Sequence, residues 1–422
     1  MDILVVGGGG REHAIIRALK KSPRCGKLYC TPGNGGIQAD AVCFDVAATD
    51  IPGVVALARQ LQVELVFVAP DDPLVAGMVD ALEAAGIPAF GPRADAAILE
   101  GSKVFSKNLM KKYGIPTAGY EVFDDPAAAL TYIREQNTYP AVIKADGLAL
   151  GKGVVLCDDY AAAEQALHEI MEDRKFGDSG RRVVVEEFLT GPEVSVLAFT
   201  DGKTVRPMVS AKDHKRVFDG DQGPNTGGMG NISPNPHYTA ADADYCMTHI
   251  FQPTVDAMAK EGRPFKGCLF FGLMLTPAGP KVIEYNCRFG DPETQVVLPR
   301  LKTDLIDILE AVREERLSAL DIEWSDEACA CVVMASGGYP GSYAKGCEIH
   351  GLDDKGQSPL ADVVYHAGTR LDDGKYVTSG GRVLGVTAMA PTLEQALDRA
   401  YAAVKSIRFD GVQYRRDIGR TN

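Results

Sequence analysis

The sequence has no uninterrupted apolar run approaching membrane-spanning length, and Met1-Asp2-Ile3-Leu4-Val5-Val6 has no basic stretch ahead of its apolar one. Neither an inserted helix nor a targeting leader is therefore expected. Positive charge is also short: 44 Lys and Arg stand against 57 Asp and Glu, a formal charge of -13. That balance argues against nucleic acid or an anionic membrane as the main partner, so any phosphate-binding cations must be local. Paired cysteine motifs are missing. Ten cysteines are scattered without a CxxC pair, and the closest two, Cys329 and Cys331, lie two apart in an apolar run, as buried strand residues would. A reduced, cytoplasmic protein is expected. Fixed-period repeats and low-complexity tracts are absent, which excludes solenoids. What is present is length: 422 residues hold about two to four domains with full hydrophobic cores.

The first hundred residues alternate strand and helix. Ile3 to Val6 runs into Gly7-Gly8-Gly9-Gly10-Arg11-Glu12-His13, and Ala14, Ile15, Ala18 and Leu19 then recur at helical spacing. Such a turn aims free N–H groups and the positive end of the helix dipole at one point, where a phosphate can dock. A dinucleotide site would also want an acidic residue ending the second strand. That strand, 27–30, ends instead in Thr31-Pro32-Gly33-Asn34-Gly35-Gly36, so an oxidoreductase loses its ribose ligand. Strands at 42–45, 65–68 and 89–90, with helices near 51–61 and 74–85, complete a doubly wound parallel-sheet domain. Asp71, in Ala69-Pro70-Asp71-Asp72-Pro73, falls at the carboxyl edge where such sheets bind ligands; a plain helix start with Asp72 as cap fits the same residues.

A second unit opens at Ser102-Lys103, whose helix ends at Gly114. A strand carrying Lys144 follows, then the glycine-rich loop 147–153 with Gly151, Lys152 and Gly153, then another strand. Lys152 precedes glycine instead of Ser or Thr, so this is no P-loop. A loop rich in N–H groups and ending in lysine can fold over phosphates as a lid, or be a simple hairpin turn. The strand 183–187 ends in Glu186 and Glu187, which point to opposite faces. Coming after a lysine strand and a glycine loop, it suits an adenine-binding connection, with main-chain groups of Glu187 to Leu189 on the base and Glu193 on the ribose hydroxyls. Asp213-His214-Lys215-Arg216 and Gly223-Pro224-Asn225-Thr226-Gly227-Gly228-Met229-Gly230 then add positive charge and a possible anion cradle at Asn225 and Thr226. His214 is either a base or a structural hydrogen-bonding residue.

The chain is organised around 284–295. The apolar run 268–275 and the turn 277–280 make Lys281 to Asn286 the second strand of a hairpin. Glu284 and Asn286 then share a face, with Tyr285 on the other. Two hard oxygens suit Mg2+, which keeps waters and is completed by substrate phosphates; a polar hairpin end with a surface ion pair fits as well. Arg288 offers a fork for carboxylate or phosphate, beside Asp291 and Glu293. From about Asp326 the pattern is a small α+β domain with strands 328–335 and 383–388 and a helix opened by Thr392 and Gln395. No direct catalytic residue is expected in it.

The ordered set Lys103, Lys144, the 147–153 loop, Glu186-Glu187, Glu193, Glu284 and Asn286 resembles that of ATP-grasp ligases. Gly33-Asn34-Gly35-Gly36, Lys144-Ala145-Asp146-Gly147-Leu148-Ala149, 213–216, 223–230, Asn286 to Gln295 and, in the tail, Gly337 to Gly341, His366 to Thr369 and Gly380 to Leu384 resemble the glycinamide ribonucleotide synthetases, the phosphoribosylamine–glycine ligases. The likeness spans essentially the whole chain. Three departures stand out: Asp71 where that family has Glu, Leu150 where it has Ala, and, against many other ATP-grasp enzymes, no second acidic metal ligand in Gly272-Leu273-Met274.

The resemblance implies an N-terminal α/β domain at 1–101 on the phosphoribosylamine side, an ATP-grasp core at 102–325 with a lid subdomain at about 118–190, and a C-terminal α+β domain at 326–422. It implies ATP with Mg2+ or Mn2+, the substrates glycine and 5-phosphoribosylamine, and a monomer or weak homo-oligomer. Lys103, Lys144, Gly151, Lys152, Gly153, Glu186, Glu187, Leu189 and Glu193 would hold the nucleotide, and Glu284 and Asn286 the metal. Arg288, Lys144 and Asp291 would be catalytic, Arg288 on the glycine carboxylate and Asp291 on its ammonium. Gly9, Gly10, Asn34, Gly35, Asp71, Asp213, Lys215, Asn225 and Thr226 would bind substrate.

Overall fold

A computed structural model describes residues 1–148 and 153–420. The N-terminal sheet is parallel throughout, in the order Val42–Cys43, Leu28–Pro32, Ile3–Gly7, Leu65–Val68, Ala89–Phe90. Its central strands are buried on both faces because helices cover both, the doubly wound arrangement expected of alternating strands and helices. The helix expected near 74–85 is two, Asp71–Val75 and Met78–Ala84, because Gly77 takes φ +90° and breaks the path.

Ser102 caps the helix Lys103–Tyr113 by accepting from the Phe105 N–H, and Gly114 ends it in the left-handed region. An antiparallel sheet follows, ordered Tyr120–Phe123, Val183–Glu187, Ala141–Ala145, Val154–Cys157, which makes the lysine strand and its successor a hairpin. The core sheet is also antiparallel: Val205–Pro207, Glu193–Asp201, Lys266–Thr276, Gly279–Asn286.

The C-terminal sheet reaches back across the expected division at 325. Lys212–Asp213 and Gly230–Ser233 form one side of it, followed by Ala328–Ser336, Arg382–Ala390 and Val363–His366. Thr392 caps the helix Leu393–Ser406 on the Gln395 N–H, and Leu397, Ala400 and Val404 pack on that sheet. The two ends of the chain also meet. His13 donates from Nε2 to Asp40 (3.1 Å) and accepts the His366 N–H at Nδ1 (2.8 Å), which uses both ring nitrogens of a neutral imidazole. No helix among the described residues is long and apolar enough to cross a membrane.

Candidate active site

The strand Gly279–Asn286 carries the densest part of the site. Glu284 and Asn286 are half-buried and Tyr285 is buried, so the two oxygen-bearing side chains share the face turned away from the core. Among the described residues the Glu284 carboxylate makes no hydrogen bond or ion pair. Burial pushes its pKa up, but Lys215, Lys144, Lys103 and Arg288 outweigh that and the net shift is down. An ionised, unengaged carboxylate beside an amide oxygen is a hard-oxygen pair, the donor type a divalent cation of the Mg2+ class takes. No cluster of three or more His, Cys, Asp or Glu able to hold a metal occurs among the described residues. A metal would therefore depend on this pair and on phosphate oxygens.

Arg288 is fixed from three sides. Its Nη2 donates to Glu100 Oε1 (3.1 Å) and Asn286 Oδ1 (3.1 Å), and Asp71 Oδ2 lies 3.9 Å away. Its Nε is buried without a partner, an orphaned donor in a polar cleft. Asn286 keeps a second lone pair after accepting from Arg288. Glu100, which sequence reading missed, is buried and also accepts from the Cys287 N–H (2.7 Å); desolvation raises its pKa. Asp71 is raised by burial but pulled down further by Arg288 and Arg11, so it is held ionised.

The lysines converge from the lid side. Lys144 is buried and bridges Glu186 Oε2 (3.0 Å) and the Ile283 carbonyl (3.1 Å), one residue before Glu284. Lys103 donates to the Gly147 carbonyl (3.1 Å), and burial lowers its pKa. Gly151 and Lys152 lie outside the described residues; Gly153 accepts from the Ala145 N–H at its start of the return strand. Of the adjacent glutamates, Glu187 is exposed and Glu186 buried, as alternation requires. Glu186 is not available to a nucleotide, because its carboxylate is held between Lys144 and Lys107. Leu189 is half-buried beside exposed Phe188, and Glu193 binds Lys215 (2.8 Å).

On the opposite wall, the Gly9 N–H is taken by Glu12 (2.6 Å). A Cβ on Gly9 would stand 3.4 Å from Asp291 Oδ2, and one on Gly10 would stand 2.6 Å from Gln295 Nε2, so the helix start abuts the 291–295 loop. Arg11, also missed, donates to the Phe289 carbonyl (3.2 Å). Asp291 accepts from Gln295 (2.8 Å) and forms an ion pair with Arg382 (3.2 Å). Arg382 additionally donates to the Gly227 and Asp291 carbonyls, so the C-terminal sheet sends a supporting side chain to the edge of the site. The signal was in the quoted string Gly380-Gly381-Arg382, a lone cation between glycines and a strand. Desolvation, then the charge of Glu293, pushes Asp213 well above the usual carboxylate range.

Several expected substrate contacts are corrected. Asn34 has no free capacity: its Nδ2 donates to the Gly8 and His366 carbonyls, and its Oδ1 accepts from the Gly36 and Ile37 N–H groups. The Gly35 N–H donates to the Thr369 carbonyl (3.0 Å). That turn docks the C-terminal domain and is no open anion cradle. The Thr226 hydroxyl closes its own turn between the Lys215 carbonyl and the Gly228 N–H, while Asn225 is exposed. His214 is structural: Nδ1 faces the Gly230 carbonyl, Nε2 accepts the Gly419 N–H, and burial pulls its pKa down to about 4.

A lysine-bearing lid sheet facing a carboxylate–amide strand, with an arginine at the strand end, defines an ATP-grasp ligase. Family models match along the chain: the phosphoribosylglycinamide synthetase N domain at residues 1–100, the ATP-grasp (A) domain at 101–294 and the C domain at 329–421. The chain belongs to the phosphoribosylglycinamide synthetase family. It is 49% identical over 418 residues to the phosphoribosylamine–glycine ligase of Caldanaerobacter subterraneus subsp. tengcongensis, covering 99% of each. The crystal structure of the phosphoribosylamine–glycine ligase of Thermotoga maritima superposes with a TM-score of 0.87 at 33% identity, over 99% of this chain and 100% of that one. The biotin carboxylase domain of Hydrogenobacter thermophilus 2-oxoglutarate carboxylase, solved with MgADP and bicarbonate, shares the fold (TM-score 0.76, 17% identity, 98% and 91% covered).

Proposed function

We propose that the chain joins glycine to 5-phosphoribosylamine with cleavage of ATP, giving glycinamide ribonucleotide, ADP and phosphate, the C–N bond-forming ligase step of purine synthesis. The observation that carries this is the meeting of Glu284, Asn286 and Arg288 with Lys144 on one side and Asp71 and Asp291 on the other. A carboxylate does not condense with an amine unaided, so glycine must first become glycyl phosphate.

ATP lies between the lid and core sheets, its base against the Glu187 to Leu189 connection and its ribose at Glu193. Lys103, Lys144 and the 147–153 loop hold the phosphates. Glu284 and Asn286 hold Mg2+, with Mn2+ as an alternative; the ion supplies charge neutralisation of the phosphate oxygens. Arg288 orients the glycine carboxylate and stabilises charge on the acyl phosphate and the tetrahedral adduct. Asp291 faces the glycine ammonium with the lone pairs that Gln295 and Arg382 leave free. Phosphoribosylamine enters from the Gly9–Gly10 helix start, bounded by Asp71, Asp213 and Lys215. The lid excludes water from the acyl phosphate. The protein acts in the cytoplasm as a monomer or weak homo-oligomer.

The test is ADP release with MgATP and glycine, with and without phosphoribosylamine made in situ from ribose 5-phosphate and ammonia. ADP formed only with all three, and a product of the right mass, is expected. Turnover only with another acid or amine overturns the substrate assignment. Asp71→Glu is expected to keep near-unmodified turnover, because Asp71 is held off Arg288 at 3.9 Å and an added methylene has room to close on it. A folded but inactive variant would show that the shorter side chain is required.

A further inference from the structure

The register of the core hairpin contains a step that side-chain alternation does not show. Leu273 pairs with Val282 and Gly272 with Glu284, leaving Ile283 as an extra residue on one strand only, a β-bulge. Ahead of it the buried residues are Pro280 and Val282; beyond it they are Tyr285 and Cys287. Uninterrupted alternation from Val282 would bury Glu284 and Asn286. The bulge reverses the faces and turns both side chains toward the cleft.

Both carbonyls at this step are held by one closed polar circuit. Thr117 Oγ1 donates to the Val282 carbonyl (2.7 Å) and accepts from Lys107 Nζ (2.7 Å). Lys107 pairs with Glu186 Oε1 (3.2 Å), Glu186 Oε2 pairs with Lys144 (3.0 Å), and Lys144 donates to the Ile283 carbonyl (3.1 Å). Lys107 is 2% exposed and is engaged by Thr117 and Glu186, both outside the metal pair. Glu186 is thereby shared between two ammonium groups, one of which holds Thr117 and the other the Ile283 carbonyl. Removing Lys107 takes away the donor that holds Thr117 Oγ1 and one of the two partners of Glu186, and so loosens the support behind both carbonyls.

We propose that Lys107 is a positioning residue that, through Thr117 and Glu186, fixes the bulge at Ile283 and so sets where Glu284 and Asn286 present their oxygens. The proposal rests on the reading of those two residues as the metal face. Three variants test it: Lys107→Met, Thr117→Val, which cuts the circuit but keeps both ion pairs, and Lys107→Arg as the conservative control. The readouts are Mn2+ affinity of the ADP complex, from the free-ion electron paramagnetic resonance signal, and ADP affinity without metal, from calorimetry. Partners that orient a ligand from behind typically change metal affinity by about 10- to 100-fold. Lys107→Met and Thr117→Val are therefore expected to weaken Mn2+ binding by about tenfold or more, with metal-free ADP binding unchanged in Thr117→Val, which leaves Lys144 and Glu186 paired, and Mn2+ binding largely restored in Lys107→Arg. If Lys107→Met does not fold, Thr117→Val decides. A folded Thr117→Val protein with unmodified Mn2+ affinity overturns this proposal alone. Failure of the unmodified protein to bind Mn2+ with ADP overturns the metal-face reading and this proposal with it.

Discussion

Arg288→Ala is expected to lower turnover by roughly 10²-fold or more, the typical loss when one preorganised donor to a developing anion is removed. Arg288 is held in place by Glu100 and Asn286 and keeps one buried donor, Nε, without a partner. Its geometry therefore exists before substrate arrives and needs no reorganisation at the moment of reaction. Truncation leaves Glu100 buried without its cation, and an uncompensated buried charge is ordinarily a severe defect. Glu100 has a way out: burial already raises its pKa and truncation removes the charge of Arg288 that opposes this, so it can take up a proton while its other oxygen keeps the Cys287 N–H. The variant is thus expected to fold, which thermal unfolding checks, and to fail in the steady-state rate of ADP release with all three substrates saturating. Near-normal turnover would remove Arg288 from the chemistry and the proposed glycine site with it.

Glu284→Gln is expected to produce a loss of similar size, about 10²-fold, by a different route. The change keeps shape and removes one charge. Glu284 is ionised because four cations outweigh its burial, so the substitution leaves Lys103, Lys144 and Lys215 without their shared counter-charge. Metal-free ADP should then bind as well as before or more tightly, since its phosphates meet less opposing charge. The Mg2+ concentration needed for half-maximal rate should rise, because a neutral amide is a poorer ligand for a hard cation. A Mg2+ titration of the initial rate, paired with calorimetry of ADP binding, separates the two effects. An unchanged Mg2+ dependence would place the metal elsewhere.

Much of the local structure was legible in the sequence because it is governed by neighbours in the chain. The capped helices at Ser102 and Thr392, the parallel N-terminal sheet and the shared face of Glu284 and Asn286 all follow from periodicity and capping chemistry. The rest depended on partners far away in sequence. Asn34 and Gly35 read as a free polar turn until His366 and Thr369, more than 330 residues on, take their groups. Lys107 reads as one lysine among several on its helix, yet lies buried against Glu186 from another element. Arg382 sits in a segment expected to hold no direct catalytic residue, and its pairing with Asp291 depends on a partner far away in the chain. Glu100 and Arg11 carry no local pattern that marks them as the supports of Arg288 and Phe289.

The extra residue at Ile283 makes the last part of that hairpin behave like a reading frame. Upstream of it, the strand can gain or lose pairs of residues at the 277–280 turn and still deliver the same sides to the same places. Deleting Ile283 would leave Glu284 directly after Val282, still opposite Gly272 and on the same side. Keeping Ile283 without the bulge would instead slip every later position by one, carrying Tyr285 into the cleft and Glu284 and Asn286 into the hydrophobic interior. The bulged pairing at this point is consequently a functional constraint in its own right, separate from the identity of any side chain. A sequence could retain Glu284, Asn286 and Arg288 letter for letter and lose the site through a one-residue slip in pairing.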